Sequence, residues 1–157
     1  MKMLARQPQA VELAIWFHDA VYDTHAGDNE ERSAGLAQSW LKKFKAEAEL
    51  IESVERLVLA TKSHDGSLHP DAPLLVDIDL SILGRPRKQF WEYESQIRQE
   101  YAWVDKAVFA AKRMEILERF LARKRIYQTD HYFHFFQFQA AENLRASIER
   151  LKDGQFD

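Results

Sequence analysis

From Pro8 onward, apolar residues recur three and four positions apart, and no stretch alternates apolar with polar residues as a half-buried strand does. The pattern predicts an all-α chain. A first helix is expected from about Pro8, whose fixed φ suits a first turn, to about Tyr22. A second opens with Asp28 or Asn29 as its cap, carries Glu30 and Glu31 in its first turn and runs to about Phe44. The third, about Ala46 to Ser63, buries the stripe Leu50, Ile51, Val54, Leu57, Val58 and Thr61. After the turn-rich segment HDGSLHPDAP comes a short helix, Leu74 to Leu83, stopped by Gly84 and Pro86. Three more are expected at about Arg87 to Trp103, Asp105 to Arg123 and Asp130 to Lys152. No repeat or low-complexity linker marks a boundary, so the 157 residues are expected to form one domain, a bundle of six to seven helices.

Composition narrows the function. Lys and Arg are interspersed with Asp and Glu, and the net charge is -3, so a nucleic-acid partner is not expected. The chain has no cysteine, which excludes thiolate zinc sites, cysteine nucleophiles and disulfides; any metal must be held by His, Asp and Glu. No apolar run approaches the roughly 20 residues that cross a bilayer, and Glu12 interrupts the first one, so neither a signal peptide nor a membrane partner is expected. The cytoplasm is the expected location.

Against this background a few polar residues fall on apolar faces. Val11, Ile15, His18 and Tyr22 form one helical line, and Asp19 adjoins it. His18 alone reads as a hydrogen-bonded core histidine, but a neighbouring carboxylate near the interior needs a cation or several donors. In the short helix Leu75, Asp79 and Leu83 share a line, while Asp77 falls on another and is expected to be exposed or supporting. His64 projects from the third stripe if that helix reaches it, and otherwise is a loop histidine. Three helices that aim His18 with Asp19, His64 and Asp79 inward suggest a shared cation.

Those residues stand in WFHDAVYD, DNEERSA, LATKSH and DIDLSILG, followed by IRQEY and ERFLARKRIY. The ordered set resembles the HD superfamily, in its small bacterial branch of predicted metal-dependent HD phosphohydrolases, over nearly the whole chain. The resemblance implies an all-α domain in which His18 and Asp19 on one helix and Asp79 on a later one hold a divalent metal. Asp77 is the less favoured alternative to Asp79. His64 resembles the extra histidine that takes a second metal or the substrate phosphate. Mixed nitrogen and oxygen ligands suit a transition metal (Mn, Fe, Zn, Ni or Co) better than Mg, and such an ion polarises a phosphoryl oxygen and acidifies its bound water.

Asp19, as metal ligand and catalytic carboxylate, and Glu30 are candidates to activate that water. Asn29, Arg98 and Arg113 are candidates to bind the phosphate. Each has a structural alternative: a helix cap for Asn29 and Glu30, a solvated or salt-bridged helix position for the arginines. The aromatic run HYFHFFQF, His131 to Phe138, reads as packing, with an outer face suited to a partner subunit. Family members carry a further histidine upstream of the His-Asp pair, and no histidine precedes His18. The expectation is therefore a phosphohydrolase acting on a small phosphorylated compound such as a nucleotide, impaired by loss of that ligand, and a homodimer through apolar surface. The alternative is a non-catalytic helical module that binds a nucleotide or a partner protein.

Overall fold

In a computed structural model, which describes residues 4–155, the chain is all-helical: among the described residues there are seven α-helices and no strand. These are α1 (Pro8–Phe17), α2 (Asn29–Lys43), α3 (Ala48–Ser63), α4 (Ala72–Asp79), α5 (Arg87–Glu100), α6 (Lys106–Leu121) and α7 (Asp130–Lys152), with a 3-10 turn at Leu80–Gly84. No helix among the described residues is long and apolar enough to cross a membrane. The chain was expected to be one domain; by its internal contacts it divides into two compact units, Met1–Asp79 and Leu80–Asp157.

The first unit is built on α3. Of its expected stripe Ile51, Val54, Leu57, Val58 and Thr61 are buried and Leu50 is partly buried, and the core residues pack with Ala10, Val11 and Ala14 of α1, Ala34, Ala37 and Leu41 of α2 and Leu75 of α4. Small residues on α1 and α2 let the helices approach closely. The first helix stops at Phe17 and not near Tyr22, which is exposed. The cause is local: the His18 ring donates from Nδ1 to the Ile15 carbonyl at 2.8 Å, and Ala20 N–H turns back to Phe17 O at 3.0 Å. Carbonyls left open at a helix end are thereby satisfied.

A clamp not anticipated from sequence fixes the other end of α1. Asp71, at the entrance to α4 and only 3% exposed, accepts from the backbone N–H of Arg6 at 2.8 Å and of Gln7 at 2.7 Å. Its own N–H donates to Nδ1 of buried His69 at 3.0 Å. Burial pushes the His69 ring below its ordinary pKa, which keeps it neutral and able to accept.

In the second unit the 3-10 turn is gripped by α7 and the segment before it. Asn143, fully buried, donates to the carbonyls of Leu83 at 2.8 Å and Arg85 at 2.9 Å, and the Tyr127 hydroxyl donates to Leu80 O at 3.0 Å. Gly84 permits this approach, because a Cβ there would lie 2.7 Å from Phe136 Cβ and 2.9 Å from its carbonyl oxygen. Gly84→Ala is therefore expected to cost about 2 kcal/mol through overpacking, read as a lowered urea midpoint with unchanged slope. α6 begins where Asp105 caps it, accepting from Ala107 N at 2.9 Å and Val108 N at 3.2 Å. The aromatic run divides as its helical spacing predicts: Tyr132 and Phe136 stack at 5.3 Å and turn inward, while Phe135 and Phe138 are exposed.

Candidate metal centre

The structure brings His18, Asp19, Asp79 and His64 into one run of contacts within the first unit. His18 Nε2 lies 3.2 Å from Asp19 Oδ2 and 3.5 Å from Asp79 Oδ1; His64 Nε2 lies 3.3 Å from Asp79 Oδ2. Three helix ends supply them: His18 and Asp19 follow α1, His64 follows α3 and Asp79 closes α4. These groups were expected to face the interior. They sit instead in a partly open site, with side chains 20% (His18), 26% (Asp79 and His64) and 66% (Asp19) exposed, so the site is accessible to solutes.

The protonation pattern follows from the partners. A carbonyl can only accept, so His18 carries hydrogen on Nδ1, and a bare Nε2 lone pair would then face two carboxylates. The ring holds a second proton instead. Its hydrogen bond with Asp19, then that with Asp79, raise its pKa to about 10 against the opposing effect of burial. Burial pushes the Asp79 carboxyl up, but the bonds from His18 and His64 outweigh it and hold the group at about 2. The sign for stability follows. A folded-state pKa above the unfolded value gives His18 a stabilising contribution that is complete below pH 6.5 and lost as pH rises toward 10. His18→Gln should flatten that alkaline limb in urea titrations taken at several pH values.

His64 occupies an unusual backbone position. It caps α3 in the left-handed region, at φ 51° and ψ 44°, with its N–H on Ala60 O. Glycine is the residue that adopts this conformation without steric cost, so an imidazole is held here at some expense. His64→Gly is expected to fold with stability within about 1 kcal/mol of the parent or above it, whereas His64→Ala, which keeps the strain, should be the less stable of the two; thermal melts rank them.

α2 holds the loop between Asp19 and α2 in place. Asn29 clasps the Asp23 backbone from both sides: its Oδ1 accepts from the N–H at 3.0 Å and its Nδ2 donates to the carbonyl at 2.9 Å. Buried Ser33 does the same for Val21, accepting at 3.0 Å and donating at 3.3 Å. Lys62 adds a third tie, donating to Gly27 O at 3.1 Å and pairing with Glu31. Asn29, a candidate for phosphate binding, thus uses its amide on the loop backbone. Asp28 is the capping residue of α2 without a side-chain cap bond. Glu30 is half-buried in the first turn of α2, within electrostatic reach of Lys62.

The geometry corrects one other expectation. Asp77 is completely buried, because α4 is enclosed on nearly all sides and a one-face reading fails there. Arg98 and Arg113 belong to the second unit. Arg98 donates to Tyr101 O at 2.7 Å and Val104 O at 3.4 Å, closing the end of α5, while buried Arg113 pairs with Glu94. Among the described residues no group of three or more His, Asp or Glu side chains is arranged to hold a metal ion as it stands. The contacts form a chain, Asp19 to His18 to Asp79 to His64. Comparison of the sequence with family models and curated proteins, and of the fold with solved structures, finds no match.

Proposed function

We propose that the chain is a metal-dependent phosphohydrolase of the HD type, with its site formed by His18, Asp19, Asp79 and His64 and a small phosphorylated compound as substrate. The observation that carries this reading is the spacing of the donors. Each donor lies 3.2 to 3.5 Å from the next along the chain Asp19, His18, Asp79 and His64, through one oxygen of Asp79 on one side and the other oxygen on the other. These separations are close to the roughly 3.4 Å between neighbouring ligands of a tetrahedral ion; a common ion would require the side chains to turn toward one point. The donor set is two imidazole nitrogens and two carboxylates, four ligands without the upstream histidine, and suits a first-row transition ion better than Mg. A bound divalent ion supplies Lewis-acid polarisation of a phosphoryl oxygen and acidification of water.

The chain's own groups have definite parts. The Ile15 carbonyl fixes the His18 ring so that Nε2 faces the site, as ligating histidines require. Asp79 uses both oxygens, one toward each imidazole. Asp19, the most exposed member, would take a proton from water, with Glu30 in the first turn of α2 the alternative. Metal binding must displace the Nε2 proton of His18, so it should release about one proton and tighten as pH rises toward 10.

The test is metal analysis of the protein after exposure to Mn, Co, Ni, Zn or Mg, paired with a screen of phosphate monoesters, diesters and nucleotides with and without chelator. Retained metal with chelator-sensitive turnover is the expected result; neither retained metal nor turnover would sink the proposal. A second reading, a non-catalytic module that binds a nucleotide or a partner protein, is favoured by one observation: protonated His18 already pairs with both carboxylates. Nucleotide binding unchanged by chelator would support it.

A further inference from the structure

The end of α2 reads WLKKFK, from Trp40 to Lys45, and sets two aromatic side chains among three lysines. Positions four apart share a helical face, and Trp40 and Phe44 stack there with ring centroids 5.6 Å apart and planes at 19°. The fold covers neither ring: Trp40 is 47% and Phe44 68% exposed, whereas Leu41 turns into the core. Lys43 lies over the Trp40 ring at 5.5 Å. This corner therefore keeps apolar area in water while its neighbour Leu41 is buried.

The lysines around the pair are exposed. Lys42 and Lys43 stand in the last turn of α2, where a cation suits the helix dipole. Lys45 lies beyond that turn. It follows the cap residue Phe44 at φ 55°, in the left-handed position that glycine usually fills. There its N–H donates to Lys42 O and that of Ala46 to Leu41 O, both at 3.0 Å. The closure needs a left-handed residue and not a charge, so a lysine is held here at conformational cost. Among the described residues Lys62, Lys88 and Lys112 each have a carboxylate partner, while Lys42, Lys43 and Lys45 have none. Glu47 and Glu49, which follow in the chain, line a hollow with Gln7 and Pro8 instead.

We propose that this end of α2 is a contact surface for an anionic lipid membrane, with Trp40 and Phe44 entering the headgroup layer and the three lysines facing its negative charge. Charge complementarity sets the sign of the partner, and the residue types set its kind. Lysine is a point charge on a flexible stem, without the planar fork by which arginine reads single phosphates, and it suits the diffuse charge of a lipid surface. Tryptophan and the lysine stems are at home where an apolar layer meets water. Single-stranded nucleic acid instead needs ring faces free for successive bases, and here the two rings stack on each other. A second copy meeting this patch across a two-fold axis would bring its own lysines against these. Attachment of this kind draws on apolar burial together with attraction to anionic lipid, and both stand at one helix end. It needs no spanning helix, uses no residue of the metal centre and does not rest on that reading.

The test is co-sedimentation of the full-length protein with vesicles of phosphatidylcholine alone and of an equal mixture with phosphatidylserine, at low and high salt. Binding to the mixed vesicles, weak binding to the neutral ones and loss at high salt are expected. Replacing Lys42, Lys43 and Lys45 together by Gln should weaken binding about a hundredfold, roughly fivefold for each lysine. Lys45→Gly alone should weaken it about fivefold while raising the melting temperature, since glycine relieves the left-handed position; that pairing separates lost binding from lost folding. Phe44→Gln should weaken binding with the melting temperature unchanged. No binding to the mixed vesicles, equal binding to both kinds, or binding that survives the three-lysine change or Phe44→Gln overturns the proposal. So does a lipid-free dimer that Phe44→Gln dissociates, which assigns the face to a second copy, or a single-stranded oligonucleotide bound through these lysines in place of vesicles.

Discussion

Asp79→Asn is expected to lower metal retention, and any chelator-sensitive turnover, by about a hundredfold or more. Altering groups that merely orient a metal ligand costs roughly 10- to 100-fold, and Asp79 would be a ligand that meets His18 with one oxygen and His64 with the other. Asparagine keeps the shape but loses the charge and one acceptor. The same change tests the protonation scheme, because His18 loses the second of its two hydrogen-bonded carboxylates while Asp19 remains. Its pKa should fall from about 10 toward 6.5, and the alkaline loss of stability should begin at lower pH. His64→Gly supplies the companion measurement: metal retention should fall while stability holds. Full metal content and turnover in the Asp79→Asn variant would remove Asp79 from the site.

How much of this was legible in the sequence depended on the kind of interaction. Helix type and order followed from the 3.6-residue period, and α7 begins and ends at the expected residues, Asp130 and Lys152. Boundaries failed where a side chain competed for the backbone: the His18 ring takes the Ile15 carbonyl and ends α1 early. They also failed where tertiary bonds tightened the chain, as at Leu80–Gly84, where carbonyls serve Tyr127 and Asn143 and the expected α-helix becomes a 3-10 turn. The grouping of His18, Asp19, Asp79 and His64 was suggested by ligand residues on apolar faces. Asp77 escaped that reasoning because most of α4 is buried, Ala72 and Leu74 to Asp77 included, so the line opposite its apolar stripe is not a solvent face. The partner of Arg113 was not legible because positive charge at helical spacing does not reveal what it meets: Arg113 pairs with Glu94, nineteen positions away on another helix. Asn29 and Ser33 were visible as polar residues at the start of α2, but their bonds go to backbone groups, which carry no signature in sequence.

Asp71→Ala is expected to destabilise the fold by about 3 kcal/mol or more. Hydrogen bonds to charged groups contribute roughly 1.5–3 kcal/mol each, and Asp71 accepts two short ones from Arg6 and Gln7, more than sixty residues away in the chain. The side chain is 3% exposed, so water has little access to replace it, and truncation leaves two N–H groups without acceptors. Asp71→Asn retains one acceptor and should fall between the alanine variant and the parent. The effect should appear as a lowered urea midpoint with faster amide exchange at Arg6 and Gln7. A second lever acts on the same corner: His69 accepts from Asp71 N–H only while neutral, and its pKa is depressed below 6.5 by burial. Unfolding then binds a proton that the native ring refuses, so this contribution is present above pH 6.5 and is lost as pH falls through the native pKa. Because the clamp holds the start of α1 and His18 lies at its end, metal retention by Asp71→Ala should weaken in parallel with its stability and recover in stabilising osmolyte. In Asp79→Asn it should not recover, and that contrast separates loss of a ligand from loss of the helix that presents one.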